Sequence, residues 1–245
     1  MRAAMPQPER GFTIMELMIA TAIFLVICGA MFGLLQLSQQ KYSSETQLSG
    51  AFQETRLAID QIVRDFNVSG YPSQSIYSKL PSDSTQYAAS PVAWSPNYPA
   101  TPCSIGSPVG TACTTPGDFD LILETDLGNG MSWIRYQLNG TTLYRAVVPK
   151  TAGDDPATKT SDPAVMVPFL TNVMNSPPAQ PIFKFTCDTP AGPQPCSAAG
   201  NYGVTNNIRD VDITLIVQTR RPDLQTGQMK LVELNGRGHR VNPAD

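Results

Sequence analysis

The sequence predicts an α+β fold, one long N-terminal helix followed by a mainly antiparallel sheet, and three observations carry that reading. No charged residue falls between Glu16 and Lys41, and about 20 apolar residues suffice to cross the hydrocarbon core of a bilayer as a helix. Leu48, Phe52, Thr55, Ile59, Ile62 and Phe66 then recur at steps of three and four, the stripe of an amphipathic helix. From residue 118 onward, apolar runs are separated by turn-forming Gly, Asn and Pro, which is the pattern of strands. A helix followed by a run of strands defines the α+β class.

The elements follow in order. Residues 1–11 form a short charged leader. Residues 12–37 form a transmembrane helix, and 38–68 continue it as an amphipathic helix. Arg56/Asp60 and Asp60/Arg64 stand as i,i+4 pairs on its polar face. Gly50 is a weak point inside it, costing about 1 kcal/mol relative to alanine. Gly70 and Pro72 supply its stop. Residues 69–117 read as a proline-rich connecting loop, with eight prolines between 71 and 117. Its Tyr77, Tyr87, Trp94 and Tyr98 either pin the loop to the body or form a contact patch. Residues 118–245 form the β-sheet domain. Strands are expected at 119–125, 131–138, 141–148, 182–187, 208–219 and 228–235. Asn139-Gly140 is the strongest hairpin signal among them, with both turn residues expected at positive φ.

Composition narrows the function. The 245 residues carry a net charge of −3 and one histidine, His239. No basic cluster offers a footprint for nucleic acid. No phosphate-cradling glycine loop, HExxH or CxxC occurs, and a Ser/His/Asp triad would rest on His239 alone, in a glycine-rich tail. The chain is therefore expected to be no enzyme and to hold no cofactor or metal. Asp118/Asp120 and Asp154/Asp155 lack the spacing of a dedicated calcium loop and read as solvated loop acids.

Of five cysteines, Cys28 lies in the apolar run and behaves as a small hydrophobe. Cys103, Cys113, Cys187 and Cys196 allow three connectivities. Local pairing, Cys103 with Cys113 and Cys187 with Cys196, is favoured because each intervening stretch is short and turn-prone. A loop of that size is stabilised by somewhat under ~3 kcal/mol, and exposure to an oxidising compartment supports the bond. A zinc site is the other reading, with spacings that are wide and the histidine distant.

The N-terminal segment is the most specific part of the chain. A lone carboxylate near the start of an apolar run costs ~2.5–3.5 kcal/mol at mid-bilayer, less near an end, so Glu16 needs a partner. A cut between Gly11 and Phe12 would create one, because the new Phe12 amine is cationic near neutral pH. A Sec signal peptide would need a small-x-small site after the run, and a lipoprotein a small residue before its cysteine, where Ile27 stands before Cys28. A plain signal anchor leaves Glu16 incidental. Arg2 and Arg10 place the leader in the cytoplasm by the positive-inside rule.

The junction Arg10-Gly11-Phe12-Thr13-Ile14-Met15-Glu16-Leu17 resembles the class III signal of type IV pilins and type II secretion pseudopilins. That resemblance covers residues 9–40 tightly. It implies a pilin-like fold, cleavage after Gly11 by a prepilin peptidase and N-methylation of Phe12. It also implies assembly through Glu16, with the hydroxyl residue Thr13 beside it, onto a neighbouring subunit's N-terminus. The expected partners are the prepilin peptidase, other pilins or pseudopilins and the inner membrane. The chain would cross that membrane once, with its C-terminal domain periplasmic, before entering a pilus or pseudopilus. Gly29 and Gly33 have the spacing of close helix–helix contact, although glycine is also common in membrane helices. More loosely, Arg56-Leu57-Ala58-Ile59-Asp60, Gly70-Tyr71 and Ile134-Arg135-Tyr136-Gln137-Leu138-Asn139-Gly140 resemble the PilW/PulJ branch of minor pilins and pseudopilins. The long proline-rich insertion and the two cysteine pairs depart from that branch. A second expectation is a pilus-tip adhesin that binds a surface or ligand through its disulfide-bonded loops.

Overall fold

A computed structural model describes residues 11–77, 80–106, 110–176, 180–224 and 226–241. The leader, with Arg2 and Arg10, lies outside the described residues apart from Gly11. Helix α1 (Ile14–Val68) is continuous through 55 residues, about 82 Å at 1.5 Å per residue. Gly50 does not break it. The chain leaves through Ser69 as C-cap and Gly70 at φ +81°. The Gly70 N–H is bonded to the Glu124 carbonyl at 2.8 Å. A Cβ there would lie 2.7 Å from Pro91 Cγ, so only glycine fits this exit.

Two antiparallel sheets follow. The first has the order β1 (Val92–Ala93), β2 (Asp120–Asp126), β3 (Met131–Asn139), β4 (Thr142–Pro149) and β5 (Val167–Thr171). A single helical turn, α2 (Pro156–Lys159), separates β4 from β5. The second sheet has the order β7 (Gln194–Pro195), β6 (Phe183–Cys187), β8 (Ile208–Gln218) and β9 (Leu231–His239). The sheets meet where the chain after β5 runs beside the far half of β8. Val173 bridges Val217, and the Asn175 side chain bonds the Thr214 carbonyl and the Ile216 N–H. One core results, shared by Ile59, Ile62 and Phe66 of α1, Leu121, Ile134 and Leu143 of the first sheet, and Ile213 and Leu215 of the second. This is the α+β, pilin-like architecture of a long helix laid on antiparallel sheet.

Several local expectations are corrected. The buried face of α1 runs through Ala51, Thr55, Ala58, Ile59, Ile62, Asp65 and Phe66, whereas Phe52 is exposed and Leu48 half-buried. Strand β9 approaches this face closely, and its own glycines make the room for Ile59 and Phe66. A Cβ on Gly236 would lie 2.2 Å from Ile59 Cγ2, and one on Gly238 2.8 Å from Phe66 Cδ1. The expected glycine-rich tail is thus the end of β9, and its glycines mark a close backbone approach. That strand lies three to four residues later than the expected 228–235. In the β3–β4 hairpin Asn139 pairs with Thr142, so Gly140 and Thr141 form the turn. Only Gly140 has positive φ, +61°, as a two-residue loop with glycine in its first position requires. Strands β5 and β7 were not expected. Each holds a proline, Pro168 or Pro195, and each is an edge strand, where a missing ladder donor costs least.

The proline-rich segment, largely irregular apart from β1 and one 3-10 turn at Gln74–Tyr77, packs into the body. Tyr87 and Trp94 are fully buried, Trp94 and Tyr98 meet edge to face at 4.8 Å, and Tyr77 stacks on Tyr87. These aromatics pin the segment to the body, which overturns the contact-patch reading. A buried ion pair closes the pin. Glu124 and Lys150, both with no exposed side-chain surface, lie 2.7 Å apart. The carboxylate of Glu124 also accepts from the Ala89 N–H at 3.1 Å, the Trp133 indole N–H at 3.2 Å and the Tyr98 hydroxyl. Lys150 in turn donates to the Tyr87 carbonyl. Burial pushes the Glu124 carboxyl up, and Lys150 with the other donors pulls it back.

Candidate processing and assembly site

Gly11 and Phe12 precede the helix and have no helical hydrogen bond. Both are exposed, Phe12 at 89%, so the Gly11–Phe12 peptide stands free ahead of the first turn. Thr13 is the N-cap, with φ −76° and ψ 149°. Its hydroxyl oxygen accepts from the Glu16 N–H at 3.2 Å. The Glu16 carboxylate reaches back, and its Oε2 accepts from both the Thr13 N–H and the Thr13 hydroxyl at 2.9 Å. This reciprocal capping box satisfies two orphan donors of the helix start and places a negative charge at its positive dipole end. Its sequence signature is a hydroxyl residue followed three positions later by Glu. All three bonds use Oε2 or the Thr13 oxygen, so Oε1 has no partner among the described residues. The acid is therefore held in one orientation with half of its carboxylate available.

Beyond the box, the first half of the helix is bare. Sixteen large apolar residues between Phe12 and Leu37 are exposed, and the most apolar window of α1 has mean hydropathy 2.5 with none of it buried. Thr21 hides its hydroxyl by bonding the Leu17 and Met18 carbonyls at 2.9 and 3.0 Å, which suits a segment surrounded by hydrocarbon. A Cβ added at Gly29 or Gly33 would meet nothing within 4 Å, so their backbone is open to a neighbour from outside the chain. Cys28 is a free, exposed thiol on this surface.

The other four cysteines form two local disulfides, Cys103–Cys113 and Cys187–Cys196. The first loop is stitched to the segment that follows the second. Ile105 donates to the Gly203 carbonyl at 2.8 Å, Thr205 donates to the Cys103 carbonyl at 3.2 Å, and Ser104 bridges Val204. A groove of about 850 Å³ lies between the two loops, lined among others by Cys113, Pro116, Asp118, Lys184, Phe185 and Cys196.

Three of the acids considered for calcium serve other ends. Asp120 is bound to Arg135 at 2.5 Å and to Thr115 at 3.0 Å. Asp154 pairs with Lys159 at 3.0 Å, and Asp155 caps α2 by accepting from Thr158 N–H. His239 Nδ1 lies 2.5 Å from Asp210. Sequence reasoning missed the cluster that anchors α1 to the sheet. Tyr136 donates to Asp65 at 2.6 Å, and Arg145 donates to Asp65 at 2.8 Å and to the Tyr136 oxygen at 3.0 Å. Burial and the Asp65 charge push the Tyr136 hydroxyl far up. The only local signal was an acid on an apolar helix face, with partners 71 and 80 residues away.

Residues 7–32 match the family model described as the prokaryotic N-terminal methylation motif. No curated protein and no solved structure matches the chain. The matched segment contains Gly11, Phe12, the Thr13–Glu16 box and the first part of the bare apolar helix, so the chain's N-terminus is similar to a prepilin-type processing and methylation signal.

Proposed function

We propose that this chain is a minor pilin or pseudopilin of the PilW/PulJ kind. It is cut after Gly11 by prepilin peptidase, methylated on Phe12 and added to a type IV pilus or type II secretion pseudopilus. Before assembly the bare half of α1 crosses the inner membrane with the β-domain on the periplasmic side. In the fibre the same half packs among neighbouring subunits, Gly29 and Gly33 giving close backbone approach. The work is non-covalent, with no reaction catalysed and no cofactor used. The observation that carries this reading is the capping box at the head of an uncovered apolar half-helix. It orients Glu16 with Oε1 free, and a neighbour's Phe12 amine is the cation that fits there. Neutralising that amine removes the cost of an unpaired carboxylate in hydrocarbon and sets the register between subunits.

The test is peptide mass spectrometry of sheared filaments and of the membrane fraction, with wild type and Glu16→Ala. A peptide starting at N-methyl-Phe12 in filaments supports a pilus subunit. The same peptide confined to membranes supports a secretion pseudopilin. A chain still carrying residues 1–11 in both would sink the proposal. Glu16→Ala is expected to be cleaved but not incorporated, and normal incorporation would remove the register argument.

A second reading, a tip adhesin, is favoured by the groove between the two disulfide loops. Deleting 71–117 cannot test it, because Tyr87 and Trp94 belong to the core. Lys184, exposed on the groove wall, offers a cleaner probe. Lys184→Glu should spare assembly and abolish attachment if the groove binds, and unchanged attachment would discard this reading.

A further inference from the structure

The β8–β9 connection lies at the end of the domain nearest the apolar span. Gly238 sits against Phe66 and Gly236 against Ile59, so β9 descends along α1 as its residue number falls. The turn before it reaches Ser44, whose hydroxyl donates to Asp223 at 3.1 Å. The described residues of this turn bond to one another. Asp223 N–H donates to the Gln228 carbonyl at 2.8 Å, Gly227 N–H to the Asp223 carbonyl at 2.7 Å, and Lys230 pairs with Asp223 at 3.0 Å. Higher on the helix, Arg220 pairs with Glu54 at 2.9 Å.

Helix arithmetic sets its height. Leu17 to Leu37 spans about 30 Å at 1.5 Å per residue, the thickness of the hydrocarbon core. Ser44 is then about 10 Å beyond the hydrocarbon edge, and a headgroup layer is about 5–8 Å deep. The turn tied to Ser44 therefore stands just above the headgroups, within side-chain reach of their outer edge, and Lys41, about 6 Å beyond the hydrocarbon edge, lies among them. Its outward residues suit that place. Leu224 is exposed at 67% next to the exposed Arg221. On the helix, Tyr42 is exposed at 76% beside Lys41. Arg220 and Lys230 are occupied by carboxylates, whereas Lys41 and Arg221 have no ion pair among the described residues. Of the acids at this level, Glu45 is exposed, whereas Asp223 is half-buried and paired. Aromatic and cationic side chains are the usual anchors at a membrane–water boundary, and anionic lipid attracts cations there.

We propose that the β8–β9 turn, through Arg221 and Leu224 with Lys41 and Tyr42 of α1, docks on the anionic phospholipid headgroups of the bilayer that α1 spans. The contact fixes the tilt of the β-domain over the membrane before the subunit is drawn into a fibre. It rests on the reading of α1 as a membrane span.

The test uses the full chain reconstituted in vesicles of phosphatidylcholine with or without phosphatidylglycerol, each carrying a headgroup nitroxide. Leu224→Trp adds a fluorophore at the exposed tip, while native Trp94 and Trp133 are buried and give a low background. Quenching of Leu224→Trp well above wild type in the phosphatidylglycerol vesicles is expected. Most of it should be lost in zwitterionic vesicles, and again on adding Arg221→Gln and Lys41→Gln. Quenching at the wild-type level, quenching independent of phosphatidylglycerol, or a tip signal that follows protein concentration would each overturn the proposal. A polarity-sensitive label on Cys28 reports insertion in the same samples. An inserted Cys28 with an unquenched tip refutes only the docking, whereas a solvent-exposed Cys28 refutes the span itself.

Discussion

The two halves of α1 differ in what covers them. Between Phe12 and Leu37 sixteen large apolar side chains are exposed, while between Ala51 and Phe66 the apolar face is closed by β8, β9 and β2. Burying a large apolar side chain contributes about 1.5–3 kcal/mol, so covering the first half is worth roughly 25–50 kcal/mol. None of the described residues supplies that cover, and lipid or neighbouring subunits are the cover the proposed function gives it. The second half has spent its apolar face on its own domain. A single uninterrupted helix therefore serves two solvents, and sequence differences along it report which cover each turn expects.

The sharpest way to break this contrast is to make one chemical change in each half. Phe66 is fully buried, and Phe66→Ala should lower the unfolding free energy by ~3–5 kcal/mol. Phe24, exposed at 64%, should leave the thermal melting of the β-domain unmoved when changed to alanine, with its effect confined to incorporation. Equal losses of melting temperature would show that the first half also packs on the domain. Next in size is Asp65, the ionic anchor of the second half. Its removal strands Arg145 and the Tyr136 hydroxyl. Breaking a buried pair costs about 3–5 kcal/mol, and Asp65→Ala should fall at the low end because a quarter of the Arg145 side chain reaches solvent. Denaturant melts of this variant beside Tyr136→Phe separate the ion pair from the hydroxyl. A loss below that of Tyr136→Phe would remove Asp65 from its anchoring role.

Glycines give a third pair. At Gly236 a Cβ meets Ile59 at 2.2 Å, and overpacking of that kind costs about 1–3 kcal/mol. At Gly29 a Cβ meets nothing, and alanine in a helix interior is worth up to ~1 kcal/mol over glycine. Gly236→Ala should therefore destabilise the domain while Gly29→Ala does not, and any harm from Gly29→Ala should surface only as poorer incorporation into fibres. A Gly236→Ala domain as stable as wild type would show that the helix can move off β9 freely.

What was legible in the sequence divides along the same line. The prepilin signal, the helix and its glycine exit were readable because each is a local pattern, a lone acid in an apolar run, a 3.6 period and a cap. The strands at 120–126, 131–139, 142–149, 183–187 and 208–218 were placed within about one residue at most ends, because alternation and turn residues sit next to each other in the chain. β5 and β7 were hidden by Pro168 and Pro195, since proline argues against a strand unless the edge is known. β9 was displaced because Gly236 and Gly238 look like a loop until the helix that needs them is in view. The Glu124–Lys150 pair and the Asp65–Tyr136–Arg145 cluster carry no local mark at all, as their members meet only through tertiary packing. The carboxylate Oε1 of Glu16 is free for a reason that needs coordinates, namely that Thr13 claims Oε2 twice.

The smallest expected effect lies at the top of the second half, where β8 and β9 meet the helix end. Burial pushes the Asp210 carboxyl up, but hydrogen bonds from His239 and Arg237 outweigh it and hold the group below the usual carboxylate range. The His239 N–H bonds the Asn67 side chain at 3.0 Å, so this cluster also ties β9 to the last turn of α1. A carboxyl lowered by folding contributes stability that is fully present above its unfolded value of about 3.9 and is lost as pH falls through its folded value. Arg237 and His239 are both more than half exposed, so the gain is about 1 kcal/mol or less. Asp210→Asn should melt slightly below wild type at neutral pH, and the difference should close as pH approaches about 3. A gap that persists unchanged into acid would mean that the asparagine disturbs the β8–β9 ladder itself. The pairing of charges would then contribute nothing measurable to holding β9 on the helix, and the close approach at Gly236 and Gly238 would have to account for that contact alone.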